Sequence, residues 1–368
     1  MPDLPGRSPR LLSHAYARMT PDGAQRAAAA AQLDPAWLDR EQRVILEAGL
    51  PEEQPAYSKS RIPYTAIPFT VRAQLNRVRI SLLRARNRHD VFPADPVDTS
   101  LDEDRVVAWR AAAAAAGADV TLTPSRDVVL THDLDEAYGI PGVEQLRRVE
   151  RAAGAVSAVG VLSERYRADP SMLEGLAAEG CEVFSHGYLH DGTDAFLERD
   201  EILRRLRHFF EVYPSMRGHV RGYRSGQLVR SERLYDAIAE VFDYDMTPPT
   251  VELGGPHGWR TGCATTHPFT RPSGLLQLPL TLPQDYFLAF IDRLSPGQIA
   301  RRWIDVTERV WAVGGVAVHL VHPDNVVRRP ELLGAYEEYL QAMAAAGARF
   351  RLPAEMADEV RLASRTAE

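Results

Sequence analysis

Short apolar segments alternate with amphipathic helical segments along most of this chain, and this alternation limits its possible folds more than any other feature. The apolar segments are rich in β-branched residues, and each is followed by polar residues or glycine. This pattern predicts strands. Strands are predicted over 128–133, 156–161, 182–185, 219–223, 242–245, 275–281, 315–321 and 349–352. Helices are predicted over 170–179, 197–213, 231–241, 298–313 and 330–346. We therefore expect an α/β fold, a distorted (β/α) barrel with about seven parallel strands.

In such a fold the loops that follow the strands meet at one rim, and ligands bind there. The predicted strand ends carry a set of chemically active side chains. They are Asp133, Asp135, His186, His190, Arg224, Asp245 and His322. Chance would fill these positions with the small polar residues common in loops, so we expect an active site at this rim.

Two of these strand ends carry donors for a divalent metal ion. His186 and His190 are four residues apart, so one tight turn directs both imidazoles to one point. Asp133 and Asp135 are separated by one residue, so one carboxylate can bind the ion while the other stays free as a base. Neither pair is specific alone, because the chain has 11 histidines and an Asp after a strand is usually a cap or turn residue. Together they supply the three ligands that a catalytic zinc site needs.

Over about residues 127–352 these motifs resemble the polysaccharide deacetylases of carbohydrate esterase family four. The segment Thr131-His132-Asp133-Leu134-Asp135 is similar to the family's acidic motif, and Ser185 to His190 is similar to its Ser-His-x-x-x-His motif. Arg221-Gly222-Tyr223-Arg224 resembles its arginine motif, and the strand that ends in His319-Leu320-Val321-His322 resembles its last motif.

The resemblance implies a role for each residue. It makes Asp133 the general base, Arg224 the residue that orients this base, and His322 the general acid. The implied metal ligands are Asp135, His186 and His190. The expected ion is Zn²⁺, with Co²⁺, Ni²⁺, Mn²⁺ and Fe²⁺ as alternatives.

The chain departs from the family pattern at two places. The family's two acids are adjacent, whereas Leu134 separates them here, so the base and ligand roles stay open to exchange. The arginine motif normally continues with prolines and a Tyr whose backbone N–H helps to form the oxyanion hole. This chain has Ser225-Gly226-Gln227 instead, which leaves the oxyanion donor open.

Residues near these motifs also have ordinary explanations. We expect Asp245 to hold the proton-bearing ring of His322, with a cap of the next loop as the alternative. His132 and His319 are expected to be packing or hydrogen-bonding residues, because strand alternation turns His319 away from its apolar neighbours. Arg221 is expected to form a surface ion pair. Asp285 follows another predicted strand and is expected to be a turn residue, with a contact to the substrate as the alternative.

Composition limits the class of protein. With 368 residues and 45% hydrophobic content, the chain can bury a large core. Its net charge of −7 argues against nucleic-acid binding. With Cys181 and Cys263 as the two cysteines, no disulfide framework is expected, and Cys181 reads as a buried thiol. Neither a signal peptide nor an apolar run long enough for a membrane span is visible, so we expect a cytoplasmic protein.

The first third of the chain is a different kind of sequence. We expect a helical, Pro- and Arg-rich extension over 1–125 and a catalytic barrel over 126–368, with a helix over 102–116 that packs on the barrel. Between 71 and 89, arginines alternate with Leu, Val and Ile. This segment suggests a contact with an anionic membrane surface or a lipid carrier, whereas the ordinary alternative is a solvated helix face.

The sequence as a whole favours a metal-dependent N-deacetylase that hydrolyses the acetamide of an N-acetylated amino sugar in a glycan, a sugar nucleotide or a secondary-metabolite precursor. One alternative is a metal-dependent amidase on a non-sugar or cyclic amide. A second is a carbohydrate-binding relative without activity, which should have lost at least one of four residues. All four are present: Asp133, Asp135, His186 and His190.

Overall fold

The computed structural model of this protein describes residues 43, 46, 47, 50, 67–86, 125–250, 252, 253, 260–263, 265–312 and 314–365. The helix that we predicted over 102–116 lies outside these residues. The division of the chain at residue 125 therefore stays a prediction. No helix in the described part is both long and apolar enough to span a bilayer.

Eleven strands lie in the described part of the chain. They are β1 (Asp127–Leu134), β2 (Ser157–Val161), β3 (Glu182–Ser185), β4 (Gly222–Tyr223), β5 (Tyr244–Asp245), β6 (Glu252–Leu253), β7 (Arg260–Thr261), β8 (Phe269–Thr270), β9 (Leu276–Gln277), β10 (Ala317–Leu320) and β11 (Arg349–Phe350). Each predicted strand is present, although several are shorter than the apolar segment that predicted them. The hairpin of β6 and β7 and the strand β8 were not predicted.

Nine α-helices accompany these strands in the described residues. They are α1 (Phe69–Arg86), α2 (Ile140–Ala152), α3 (Pro170–Ala178), α4 (Arg199–Val212), α5 (Glu232–Ala239), α6 (Pro296–Ala312), α7 (Pro323–Arg328), α8 (Glu331–Ala345) and α9 (Pro353–Arg365). A π-helix covers Phe287–Ile291. Side chains cap the N-termini of α3 and α5. Asp169 accepts a hydrogen bond from a backbone N–H in the first turn of α3, and Ser231 does the same for α5.

The strands form one curled sheet in the order β10-β1-β2-β3-β4-β5-β9-β8, with β11 added beside the start of β1. The seven strands from β10 to β9 in this order are parallel to their neighbours, and β8 is antiparallel to β9. Beyond β9 the chain reaches the opposite edge, where the N–H groups of Thr281 and Leu282 donate to Val318 O at 3.3 and 3.1 Å. The sheet is a half-barrel surrounded by helices, which confirms the predicted fold class.

The alternation of side chains along β1 shows on which face of the sheet the predicted site residues lie. Val128 and Leu130 belong to the apolar cluster between the sheet and its outer helices. Val129 belongs to the cluster inside the curl of the sheet. Because successive side chains point to opposite faces, Asp133 and Asp135 share the inner face with Val129, at the end where the parallel strands finish.

The helix α9, which the sequence analysis did not predict, fills the end of the half-barrel where the parallel strands begin. Its residues Met356, Ala357 and Val360 are buried in the inner cluster with Val129 and Val318. A closed, apolar floor leaves the rim at the carboxyl ends of the strands as the accessible side of the barrel interior.

The Arg-rich segment begins as α1, which packs on the π-helix. The ring of Phe69 meets that of Phe290 edge to face at 4.9 Å, and the Asn76 amide donates to Tyr286 Oη at 3.0 Å. The opposite face of α1 carries an apolar stripe whose side chains are between 46% and 58% exposed. The stripe consists of Val71, Leu75, Val78 and Leu82.

Candidate active site

The guanidinium of Arg224 holds the end of β1 in place. Its Nη1 donates to Asp133 Oδ1 and to Thr131 Oγ1, both at 2.9 Å, and its Nε donates to Met246 O at 3.1 Å. Arg224 and Asp133 are both buried. Burial alone would raise the pKa of Asp133, but the charge of Arg224, aided by His186 and His322, outweighs burial and lowers it. Asp133 is therefore an oriented carboxylate that remains charged.

Three side chains converge beside this ion pair. The candidate ligand atoms of Asp135, His186 and His190 all lie within 4.8 Å of one another. Asp135 Oδ1 is 3.2 Å from His186 Nε2 and 3.3 Å from His190 Nε2. Bonds of zinc length in tetrahedral geometry place neighbouring ligand atoms about 3.3 Å apart. The donor set and its spacing therefore fit one divalent ion.

The two histidines are brought together by a loop after β3. Gly187 and His190 both have positive φ, of 91° and 56°, so the chain turns back on itself instead of continuing as a helix. The Nδ1–H of His186 donates to Arg224 O at 3.1 Å, so Nε2 is the ring nitrogen that faces Asp135 and is available to an ion. Burial lowers the pKa of His190 to about 4, so this imidazole is neutral and able to bind a metal.

His322 faces the same rim from the end of β10. Its Nδ1 is 2.6 Å from Asp285 Oδ1, and its backbone N–H donates to Asp285 Oδ2 at 3.1 Å. Asn325 also donates to this carboxylate, at 3.0 Å. Burial opposes the charged imidazole, but the charge of Asp285 and this hydrogen bond raise the pKa of His322 to about 10. His322 is therefore held in its protonated form.

This geometry corrects the partner that we expected for His322, which is Asp285 and not Asp245. The residues on either side of Asp245, Tyr244 on β5 and Met246 directly after it, belong to the inner cluster. Alternation turns Asp245 to the opposite face. There its carboxylate forms a short hydrogen bond with Thr247 Oγ1, and burial raises its pKa to about 7.

Asp324 is a site residue that the sequence analysis missed. Its carboxylate accepts the backbone N–H groups of Asp135 at 2.9 Å and Glu136 at 3.0 Å, so it fixes the chain that carries a candidate ligand. A Cβ at Gly139 would lie 2.5 Å from Asp324 Oδ1, which explains why glycine packs here. The signal in the sequence was the acid two residues after His322, within a segment that resembled a turn.

The loop after Arg224 presents a backbone donor to the candidate metal site. Gln227 and Leu228 both have positive φ, of 56° and 53°. In this conformation the N–H of Gln227 points at His190 Nε2, 3.3 Å away, and the Gln227 amide donates to His190 O at 2.9 Å. Two consecutive left-handed residues without glycine are uncommon and accompany functional sites.

His132, His319, Arg221 and Cys181 behave as expected, whereas Asp285 is the partner of His322 and not only a turn residue. His132 is buried, with Nδ1 2.9 Å from Val321 O and Nε2 2.6 Å from Glu150 Oε1. His319 packs between the rings of Trp303 and Tyr339 at 4.4 and 4.7 Å, and burial holds its pKa well below the usual value. Arg221 forms ion pairs with Asp243 and Asp358, and Cys181 is a buried free thiol.

Solved structures resemble this fold. One is a protein from Mycobacterium smegmatis described as a polysaccharide deacetylase, with a TM-score of 0.55 and 20% identity over 66% of this chain and 96% of that chain. A family 4 carbohydrate esterase from Streptomyces lividans has a TM-score of 0.42 and 14% identity over 61% and 92% of the two chains. An allantoinase has a TM-score of 0.48 and 15% identity over 64% and 89%. A scan against protein-family models and a search of the curated proteins found no match.

The two likenesses with TM-scores below 0.5 are too weak to bear on the fold. The first likeness covers nearly the whole of the related chain, and at 20% identity it establishes a shared fold. The chain therefore has the fold of a polysaccharide deacetylase, as the resemblance of its motifs predicted.

Proposed function

We propose that this protein is a metal-dependent N-deacetylase that hydrolyses the acetamide of an N-acetylated amino sugar. The observation that carries the proposal is the convergence of a charged carboxylate with a candidate metal triad. Asp133 is held by Arg224 at 2.9 Å, beside Asp135, His186 and His190. Its fold, shared with a polysaccharide deacetylase, agrees with this chemistry.

In this proposal Asp135, His186 and His190 hold one divalent ion, with Zn²⁺ as the first expectation. Such an ion lowers the pKa of its water from ~15.7 towards ~7 and polarises an acyl oxygen. The neutral state of His190 and the tautomer of His186 suit both imidazoles for this role. Asp324 supports the ion indirectly, since it fixes the backbone of Asp135.

Asp133 acts as the general base. Its carboxylate accepts the proton of the attacking water, and the bond to Arg224 keeps it in one rotamer and in the charged form. Arg224 itself is fixed by Met246 O and Thr131 Oγ1, so it positions the base without touching the substrate.

His322 acts as the general acid. Cleavage of an amide requires protonation of the departing nitrogen, because an amide anion is a very poor leaving group. Asp285, which Asn325 holds by a hydrogen bond, keeps the ring of His322 protonated at the rim. An ester would need less of this help, so the pair of Asp285 and His322 favours amide hydrolysis.

The N–H of Gln227 is the candidate donor to the oxyanion. It donates to His190 Nε2 at 3.3 Å, so an ion bound to that nitrogen would take the lone pair and leave the N–H free for an oxygen beside the ion. A donor beside the ion can stabilise charge that develops on the acyl oxygen in the transition state. This assignment proposes an answer for the oxyanion donor that the sequence left open.

The experiment is a screen for acetate release over N-acetylated sugars, sugar nucleotides and oligosaccharides, with simple and cyclic amides as comparison substrates. The proposal expects acetate from at least one acetylated sugar and loss of release when a chelator is added. Release confined to simple or cyclic amides would retain the metal chemistry and reject the sugar. No hydrolysis of any amide by metal-loaded protein would reject the enzyme.

A contact between α1 and an anionic membrane surface also remains a proposal. The helix contains five arginines and no acidic residue, and its apolar stripe is about half exposed. Changing Leu75, Val78 and Leu82 to Gln should abolish co-sedimentation with anionic liposomes. Leu362→Gln on α9, where the leucine is 67% exposed, is the matched control. Equal sedimentation of wild type and the triple variant would leave α1 as an ordinary solvated helix.

A further inference from the structure

An arginine at the rim is held between two aromatic rings. Arg328 ends α7, the helix that begins directly after His322. Its guanidinium carbon lies 4.0 Å from the ring centroid of Phe69 and 4.6 Å from that of Tyr138. Its Nε also donates to Tyr138 Oη at 2.5 Å. We call these three residues the Arg328 stack.

The Arg328 stack differs from Arg165, which is another cationic residue at this rim. Arg165 is neutralised by an ion pair with Glu136, and its Nη1 donates to Leu189 O. Among the described residues no carboxylate lies within ion-pair distance of Arg328, although it is exposed to solvent. An arginine whose orientation is fixed by stacking, and whose Nη atoms face no acid, is prepared to bind an anion.

Two residues of the Arg328 stack lie close in sequence to residues of the candidate active site. Tyr138 follows the candidate ligand Asp135 by three residues, and Arg328 follows His322 by six. Asp324 joins the two segments, because it lies on α7 and accepts the N–H groups of Asp135 and Glu136. A helix rises about 1.5 Å per residue, so α7 places Arg328 roughly 8 Å from its start. In an N-acetylated amino sugar, the distance from the acetamide to a substituent on the far side of the sugar ring is similar.

We propose that the Arg328 stack is a subsite for a phosphate group carried by the acetylated sugar. The proposal rests on the proposed function for the position of the sugar. The planar guanidinium can bind two phosphate oxygens through parallel N–H bonds. The exposed ring of Tyr138, at 39% exposure, offers a surface for the sugar next to it. The substrate class thereby narrows from acetylated sugars in general to sugar phosphates, whether joined to a nucleotide or to a lipid.

The test measures binding without turnover. Zinc-loaded protein is titrated in a calorimeter with glucosamine 1-phosphate, glucosamine 6-phosphate and glucosamine, none of which carries an acetyl group. At least one phosphate should bind about 10- to 100-fold more tightly than glucosamine. Arg328→Gln should remove this advantage while the weaker binding of glucosamine stays unchanged. Arg328→Lys keeps the charge but loses the planar stack and should fall between the two.

The matched control is Arg217→Gln. Arg217 is also an exposed arginine over an aromatic ring, 5.6 Å from the centroid of Phe210, but it precedes β4 and so lies at the end opposite the rim. This variant should retain the phosphate preference. A preference that survives in Arg328→Gln, or that is absent from the wild type, overturns the subsite.

Together with the screen for acetate release, the same titration tests the phosphate subsite and the proposed deacetylase reaction independently. A phosphate preference that depends on Arg328, in a protein that releases no acetate from any substrate, would support the subsite and reject the deacetylase. Acetate release from acetylated sugars with no effect of Arg328→Gln on either phosphosugar would reject the subsite and support the deacetylase. Comparing a nucleotide-linked with a lipid-linked acetylated sugar then distinguishes the source of the phosphate.

Discussion

Arg224 is the residue on which the geometry of the candidate site depends most. One buried guanidinium reaches β1 through Thr131 and Asp133 and the segment after β5 through Met246. Its own carbonyl oxygen also accepts the Nδ1–H of His186. The candidate base and one candidate ligand are therefore oriented by the same residue, and they also face each other directly, with His186 Nδ1 3.7 Å from Asp133 Oδ2.

The roles of the two acids on β1 can be separated by amide substitutions. Asp133→Asn should keep one ion per chain and lose on the order of 10²- to 10⁴-fold in turnover, because a proton acceptor is removed. Asp135→Asn should lose the ion. Elemental analysis and acetate release measure the two effects. The reverse pattern, with metal lost from Asp133→Asn and kept by Asp135→Asn, would exchange the two roles.

The pair of Asp285 and His322 predicts a pH dependence. A general acid acts while it is protonated, and Asp285 raises the pKa of His322 to about 10, so activity should fall only as the pH rises through that value. In Asp285→Asn burial remains but the anion is lost, so the pKa drops and the alkaline limb moves to lower pH. Asp305→Asn, an exposed acid on α6, is the control. An alkaline limb at the same pH in Asp285→Asn and wild type would contradict the assignment.

Residue types and spacing predicted which side chains carry chemistry, but not all of their partners. The pairs on one short segment, Asp133 with Asp135 and His186 with His190, were visible because their spacing alone places them together. Asp285 and His322 are 37 residues apart and meet only because the sheet curls until Thr281 reaches β10. No local pattern shows that closure, so Asp245 was chosen as the partner instead.

At the scale of elements, periodicity predicted the parallel strands and the helices α3, α4, α5, α6 and α8, but it missed α2, although α2 also buries one apolar face. It failed for α9, which is buried only through Met356, Ala357 and Val360 at the floor of the barrel. For α1 a helix was expected, but not the face that packs, because a buried face and a separate exposed apolar stripe give no single amphipathic pattern. Tertiary contacts, not local preference, decide both helices.

A short N-terminal segment also contacts the barrel. The buried carboxylate of Glu47 is 3.0 Å from Arg230 Nε and accepts the hydroxyl of Tyr235 at 2.7 Å. Arg230 in turn donates to Leu228 O at 2.7 Å, within the left-handed loop that presents the Gln227 N–H. The described part of the first 125 residues is therefore joined to the segment that borders the candidate site.

This contact predicts a loss of stability in Glu47→Ala. Removing the Glu47 carboxylate takes an ion-pair partner from the buried Arg230 and an acceptor from the Tyr235 hydroxyl, which costs about 1–3 kcal/mol in the free energy of unfolding. Glu198→Ala is the matched control, because Glu198 is 91% exposed and 3.7 Å from Arg233. Urea denaturation measures both variants. Equal unfolding midpoints for Glu47→Ala and Glu198→Ala would show that the N-terminal segment does not support the barrel.

At the scale of the whole molecule, the curl of the sheet determines what the rim can do. It brings Asp133 from β1, the histidines that follow β3, Arg224 from the end of β4 and His322 from the end of β10 to one place. The closed floor made by α9 leaves this rim as the accessible face. The fold class followed from the sequence, and the roles of the residues at this rim stay predictions. The positions of Asp285, Asp324 and the Arg328 stack became visible only in the folded chain.

The most direct test of the central claim is a titration of chelator-treated protein with Zn²⁺ while acetate release from an N-acetylated sugar is followed. Release should rise in proportion to bound zinc and level off at one ion per chain. A variant with both His186 and His190 changed to Ala should neither bind zinc nor release acetate. Full release from the chelated protein, or full zinc occupancy in the double variant, would contradict the account.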